Sequence, residues 1–345
     1  MTALNAPIAA AEPMLRVENL TISFRTDEGP ITPVQGVGFD VSEGRTLGLV
    51  GESGSGKSVS TKALMRLLPG SATIERGSRM RYVAKSGEAF EIEALRAGSR
   101  ALRRLRGGEI GMIFQEPMAS FSPVYTIGNQ MIESIRLHRG MNAREARDEA
   151  VEMLTKVGIS NPEGRVDQYP HELSGGMRQR AMIALALSAG PRLLIADEPT
   201  TALDVTIQAQ VLALMGDLQR DLGMGLIFIT HDLGVIAQIA DDVAVMYLGA
   251  IVERGPAREV IRSPRHPYTR GLLDAIPTLD RLDARLKPVP GDIPSPSQRP
   301  SGCAFHPRCA QAIKGLCERK APEETQMPGG RAVRCWLHAE GRSAA

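Results

Sequence analysis

No stretch of eighteen or more apolar residues occurs in this 345-residue chain, so no membrane-spanning helix is expected. The richest apolar segment, 182–196, is interrupted by Gly190, Pro191 and Arg192. The first dozen residues have neither a basic start nor a long apolar core, which argues against a secretory signal and for a cytosolic protein. A dominant charge is missing too: 41 basic side chains face 39 acidic ones, and nothing in that balance demands a nucleic-acid partner. The densest basic stretch, 96–106, carries Arg96, Arg100, Arg103, Arg104 and Arg106 and reads as the solvated face of a helix. No internal repeat is visible, and cysteine is absent until Cys303. What is present is enough apolar content, 43%, for a large α/β domain with a smaller appendage.

The apolar pattern changes period along the chain. Residues 15–24 and 34–41 alternate as strands do, and 74–92 is glycine-spaced and β-like. Thr46–Val50, 110–114, 193–196 and 226–230 are short continuous apolar runs, the mark of parallel strands covered on both faces. Residues 95–105, 126–157 and Val205–Leu222 have helical spacing, and 243–253 reads as two strands joined near Gly249. Strands alternating with helices predict a doubly wound parallel sheet with a ligand at its C-terminal edge. Residues 1–13 read as loose, 14–276 as a nucleotide-binding domain, and 277–345 as a proline-rich extension, with prolines at 277, 288, 290, 294, 296, 300 and 307.

Between the Thr46–Val50 run and the helical pattern that opens at Val59 lies GESGSGKS: Gly51, Glu52, Ser53, Gly54, Ser55, Gly56, Lys57 and Ser58. Strand, glycine loop and helix in that order make a phosphate cradle. The glycines let successive N–H groups turn inward, and the new helix adds its positive end. Lys57 is placed to reach the outer phosphates of a nucleoside triphosphate and Ser58 to hold Mg²⁺. Further on, RLLIADEP ends a strand on two adjacent carboxylates. Two carboxylates at a strand tip imply a nearby cation, with Asp197 serving Mg²⁺ and Glu198 acting as the base that polarises water. Ser174-Gly175-Gly176 precedes another helical run. It reads either as a helix cap or as a second anion site serving another subunit's nucleotide.

Together these motifs resemble the ATP-binding cassette (ABC) family, and LSGGMRQ at 173–179 resembles its signature sequence, with Met177 where glutamine is commoner. The resemblance implies an ABC-type P-loop fold: a RecA-like core with a parallel sheet, an antiparallel β subdomain, and a helical subdomain at about 117–188. It also implies residue roles. Phe24 stacks on adenine, Gln115 of IFQEP touches Mg²⁺ and the transport partner, Asp204 of TALD forms the D-loop, and His231 of ITHD contacts the γ-phosphate. Segments near 115–124 transmit closure to a permease. HPYTRGLL at 266–273 and PVPGDIPSPSQRPSGCAFHPRC at 288–309 are similar to the C-terminal extension of oligopeptide and dipeptide importer ATPases of the D type. The implied partners are a second, related ATPase (with a homodimer as the alternative), two permease subunits and an extracytoplasmic solute-binding protein, at the cytoplasmic face of a bacterial inner membrane. The implied activity is ATP hydrolysis coupled to peptide import, with oligosaccharide, opine or nickel as alternative cargo. A soluble cassette ATPase acting on DNA or ribosomes is the reading from another class.

The four cysteines, Cys303, Cys309, Cys317 and Cys335, crowd into one window. A cytosolic protein does not use them as structural disulfides. No Cys-x-x-Cys knuckle is present. Three readings stay open: an iron–sulfur cluster, a zinc site with His306 or His338 as replacement ligands, and unligated thiols. The family resemblance implies a four-iron, four-sulfur cluster held by these cysteines; because an ATP cycle needs no redox step, a folding role is expected of it.

Overall fold

The computed structural model describes residues 12–115, 120–201, 204–276 and 289–339. It contains two sheets. The smaller is antiparallel and is built from Leu15–Thr26 (β1), Gly29–Val41 (β2), Ala72–Ile74 (β4), Arg79–Val83 (β5) and Ala89–Glu91 (β6), in the order β2-β1-β5-β6 with β4 also on β1. The larger comprises Thr46–Val50 (β3), Ile110–Ile113 (β7), Leu193–Asp197 (β8), Gly225–Thr230 (β9), Asp242–Tyr247 (β10), Ala250–Pro256 (β11), Thr325–Met327 (β12) and Arg331–Val333 (β13). Its order is β12-β13-β11-β10-β3-β9-β8-β7. The strands from β10 to β7 are parallel, as the continuous apolar runs require.

Successive residues of these strands feed two different cores. Leu49, Ile195, Ile227 and Ile229 enter the layer shared with the antiparallel sheet. Val50, Leu194, Ala196 and Phe228 enter the layer shared with the helices. This is the period of two applied to a sheet with no wet face. Each large side chain withdrawn in this way contributes roughly 1.5–3 kcal/mol. The chain passes from β3 out to β7, returns through β8 and β9, and crosses over to β10 on the other side of β3. The tip of β3 is therefore the point where strand order reverses, and crevices form there.

Helix Lys57–Leu64 (α1) follows β3, and Arg100–Leu105 (α2) precedes β7. Ile127–Arg139 (α3), Ala143–Lys156 (α4) and Gly175–Leu187 (α5) pack together through Met131, Ile135, Ala146, Ala150 and Ile183. Helical spacing over 126–157 thus covers two helices. Gly140 ends the first at φ 67°, and Asn142 with Glu145 forms a capping box for the second. Val205–Leu222 (α6) keeps its expected bounds, followed by Leu233–Ile239 (α7), Ala257–Arg262 (α8) and Pro267–Asp274 (α9).

The expected helix over 95–105 is shorter, because Gly98 is left-handed at φ 73° and Ser99 caps a new start. Arg103 and Arg104 are exposed there, but Arg106 is not part of a solvated face. Its Nε and Nη2 donate to the Met65 and Arg66 carbonyls, both at 2.7 Å, and close the end of α1.

The extension is joined to the rest. Strands β12 and β13 continue the large sheet, with Glu253 opposite Val333. Phe305 is buried in the helical-side core beside Tyr247 and Tyr268. A buried ion pair links Arg331 to Glu253 at 2.9 Å. The boundary expected at 276/277 and the 116–119 part of the closure-transmitting segment lie at or outside the described residues, as do most of residues 1–13. Among the described residues, no helix is long and apolar enough to cross a membrane.

Candidate functional site

The tip of β3 runs directly into the glycine loop. A Cβ on Gly51 would lie 2.2 Å from the Met246 carbonyl oxygen, and one on Gly56, at φ 99°, 2.6 Å from that of Pro33. Both positions admit only glycine without backbone movement. Lys57 is buried, and its Nζ donates to the carbonyls of Gly51 (2.6 Å) and Glu52 (3.0 Å) and to Ser55 Oγ (3.4 Å). Burial lowers its pKa, while Glu198, Asp197 and Glu52 pull in the opposite direction. Ser58 Oγ donates to Asp197 Oδ1 at 2.8 Å. Burial raises the Asp197 pKa against that hydrogen bond. A hydroxyl and a carboxylate brought together in this way are hard oxygen donors suited to Mg²⁺, which takes few protein ligands alongside a substrate's phosphates.

Glu198 follows β8 with a left-handed φ of 47°. A non-glycine residue pays of order 1–2 kcal/mol there. Its N–H donates to the Ile229 carbonyl at 3.0 Å, which holds the turn. Its carboxylate accepts from Gln115 Nε2 (3.1 Å) and Thr201 Oγ1 (3.0 Å), and His231 Nδ1 lies 3.7 Å away. Gln115, Glu198 and His231 come from just beyond β7, β8 and β9, three adjacent parallel strands whose tips must coincide. This cluster can orient a water molecule against a phosphate group held by the neighbouring loop. Thr201 was not singled out in the sequence, where it is one of two threonines in an ordinary-looking turn.

Other candidate residues stand apart from that cluster. Ser174 caps α5, accepting from Met177 N–H at 3.4 Å. Ser174 and Gly175 are exposed, and no hydrogen bond among the described residues joins Ser174, Gly175 or Gly176 to the Gly51–Ser58 loop. Asp204 caps α6 through Ile207 N–H at 2.9 Å; Ala202 and Leu203 of the same motif lie outside the described residues. Phe24 is half-buried in β1, opposite Ile31 and Ala72. Val59 continues α1.

All four cysteines are free. Cys317 and Cys335 are buried, and Cys303 N–H donates to the Cys317 carbonyl at 2.8 Å. Burial pushes the Cys335 thiol up to about 11, with repulsion from Cys303, Cys309 and Cys317 adding to it, and raises Cys303 and Cys309 as well. Among the described residues, no three His, Cys, Asp or Glu side chains converge to hold a metal ion. The same finding bears equally on the zinc and the iron–sulfur readings. His306 Nδ1 instead faces the Cys303 carbonyl at 3.0 Å and His338 Nε2 that of Arg265 at 3.1 Å.

Comparison with known proteins bears on both halves of the chain. Residues 34–201 match the family described as ABC transporter, and residues 252–317 match the oligopeptide/dipeptide transporter C-terminal region. A provisionally named peptide import ATP-binding protein of Brucella abortus strain 2308 is 50% identical over 330 residues, covering 94% of this chain and 97% of that protein. Another from the same strain is 49% identical over 323 residues, covering 94% of each. Among solved structures, the dimeric bacterial ABC transporter cassette MJ0796 is similar at a TM-score of 0.60 and 25% identity, over 71% of this chain and 99% of that one. A dimeric post-hydrolysis state of that cassette, bound to ADP and Pi, is similar at a TM-score of 0.61 and 25% identity, with the same coverage.

Proposed function

This chain belongs to the ABC transporter family, and we propose from that premise that its glycine loop and strand tips form the half-site at which ATP is bound and hydrolysed. The chain is an ABC-type ATPase that powers peptide import, and it works with membrane permease subunits. The observation carrying the site assignment is the convergence of Lys57, Ser58, Asp197, Gln115, Glu198 and His231 at the tips of neighbouring strands.

The loop N–H groups and Lys57 hold the phosphates, and Phe24 meets the adenine. Lys57 has only to exchange the loop carbonyls for phosphate oxygens. Ser58, Asp197 and Gln115 hold Mg²⁺, whose charge offsets that of the phosphates. Glu198 orients and polarises the attacking water, and His231 steadies the γ-phosphate. Ser174 and Gly176 serve the nucleotide of a companion ATPase, which returns the same groups to this one, and Asp204 lies at that junction. The exposure of Ser174 and Gly175 at this helix N-terminus supports that division.

The companion is a related but distinct ATPase, and a solute-binding protein delivers cargo outside the membrane. The chain itself lies on the cytoplasmic face of a bacterial inner membrane. The four cysteines take a four-iron, four-sulfur cluster that stabilises the extension. What supports it is that Cys303, Cys309 and Cys317 all lie near enough to Cys335 to raise its pKa behind the larger effect of burial, and thiolates gathered there favour a cationic centre. Iron and acid-labile sulfide assayed in anaerobically purified chain test it; their absence from folded, active protein rejects it. The decisive test of function is ATP turnover in the reconstituted transporter. Stimulation by peptide-loaded binding protein supports the reading, and stimulation only by oligosaccharide, opine or nickel shifts the cargo.

A further inference from the structure

Glu52, the second residue of the glycine loop, is fixed at all three of its polar groups. Its N–H donates to Tyr268 Oη at 3.0 Å. Its carbonyl accepts from Lys57 Nζ at 3.0 Å and from Ser55 N–H at 3.2 Å. Its carboxylate receives a two-pronged bond from Arg308, Nη1 to Oε2 at 2.8 Å and Nη2 to Oε1 at 3.1 Å. Two of these three anchors come from the C-terminal part of the chain, and Arg308 lies 256 positions from Glu52.

Arg308 has little freedom of its own. Its side chain is 4% exposed. Nε donates to the Pro290 carbonyl at 2.8 Å, and the guanidinium sits 5.7 Å from the centre of the Tyr247 ring. Tyr247, Tyr268 and Phe305 pack ring against ring beneath it, with centroids 4.8–5.4 Å apart. The backbone around it is closed by turns between Cys303 and Cys309: His306 N–H to the Cys303 carbonyl, Arg308 N–H to that of Phe305, and Cys309 N–H to that of His306. A guanidinium fork is pre-organised and loses little freedom on pairing. This one is therefore a rigid brace reaching from the cysteine-bearing extension to the phosphate loop.

We propose that Arg308 is a positioning residue for ATP binding: it holds the Gly51–Ser58 loop, through Glu52, in the shape that accepts phosphates, and so makes the C-terminal extension part of the nucleotide site. This rests on the assignment of that loop to ATP. A loop ordered before the ligand arrives spares the ligand the cost of ordering it. Loss of the brace then weakens binding without touching the groups that act on the γ-phosphate.

The test is equilibrium titration of the full chain with a fluorescent ATP analogue, together with steady-state kinetics in the assembled transporter and a thermal melt of each variant. Arg308→Ala is expected to raise the Kd and KM for nucleotide about tenfold, with kcat retained. Arg308→Lys, which supplies one donor instead of a fork, is expected to fall between. Glu52→Gln is expected to weaken binding to the same degree, and Arg308→Ala added to it should change nothing more. Unchanged Kd in Arg308→Ala, a drop in kcat with KM constant, or additive effects in the double variant would overturn the proposal. If Arg308→Ala does not fold, Glu52→Gln decides, because it leaves the extension intact: unchanged Kd there rejects the brace. Wild-type chain that binds no nucleotide overturns the loop assignment and the brace together, whereas binding that is insensitive to both variants overturns the brace alone.

Discussion

The glycine loop and the N-terminus of α5, both proposed to meet phosphate groups, are constructed differently. The loop is tied to its surroundings at nearly every residue that matters. Lys57, Ser58 and Glu52 bond to the loop itself, to Asp197 and to the C-terminal extension. Ser174 and Gly175 are exposed, and among the described residues the Ser174 side chain only caps its own helix. A binding element braced from behind is complete on its own polypeptide. One left exposed at a helix N-terminus suits a surface supplied by another molecule. The contrast supports the proposal that the two motifs serve different nucleotides, one of them held by a companion ATPase.

The sharpest way to break this contrast is to disable chemistry on the braced side alone. Glu198→Gln should bind ATP but turn it over about a thousandfold more slowly in the assembled transporter; near-normal phosphate release would remove Glu198 from its role. Disabling the open side should give a different signature. Ser174→Arg is expected to cut assembled turnover on the order of a hundredfold while leaving nucleotide affinity of the isolated chain unchanged. A parallel loss of affinity would merge the two regions into one site.

A smaller effect bears on how the bracing is buried. Burial, helped by the charges of His338 and Arg270, holds His266 down to about 3 from its ordinary 6.5, so it is neutral in the folded chain. Glu253 meanwhile accepts its backbone N–H. The unfolded chain takes up that proton below about pH 6.5 and the folded chain does not until about pH 3. Stability from this group is thus full above pH 6.5 and lost as pH falls through that window, by at most about 1.4 kcal/mol per unit. Urea midpoints at neutral and mildly acidic pH should show the loss. His266→Asn, which keeps a cap for Tyr268 N–H but cannot titrate, should flatten it. Smallest of all, Tyr268→Phe removes one acceptor from Glu52 N–H and should cost about 1 kcal/mol in stability, measured by the same melts.

Much of the braced side was legible in the sequence because its motifs are local. Thr46–Val50 and Val205–Leu222 took their expected bounds, and the strand-loop-helix order was enough to place Lys57 and Ser58. Continuous apolar runs also announced which strands were parallel, and parallel strands bring their tips together. The antiparallel pairings that attach the extension were not legible, since β12 and β13 have three residues each and show no period. Nor was the Glu52–Arg308 pair, whose partners are brought together by the fold alone. The left-handed Gly98 and Gly140, which shortened one expected helix and divided another, were visible as glycines but not as breaks. A helical apolar pattern continues across them.

The claim that one polypeptide carries only half of each reaction centre is tested most directly by measuring ATP hydrolysis per molecule by the isolated chain, with its monomeric state checked by sedimentation, and then titrating in the companion ATPase and permeases. Negligible turnover by the monomer that rises with partner concentration is the expected result. Full-rate hydrolysis by a demonstrated monomer, independent of concentration, would contradict the account.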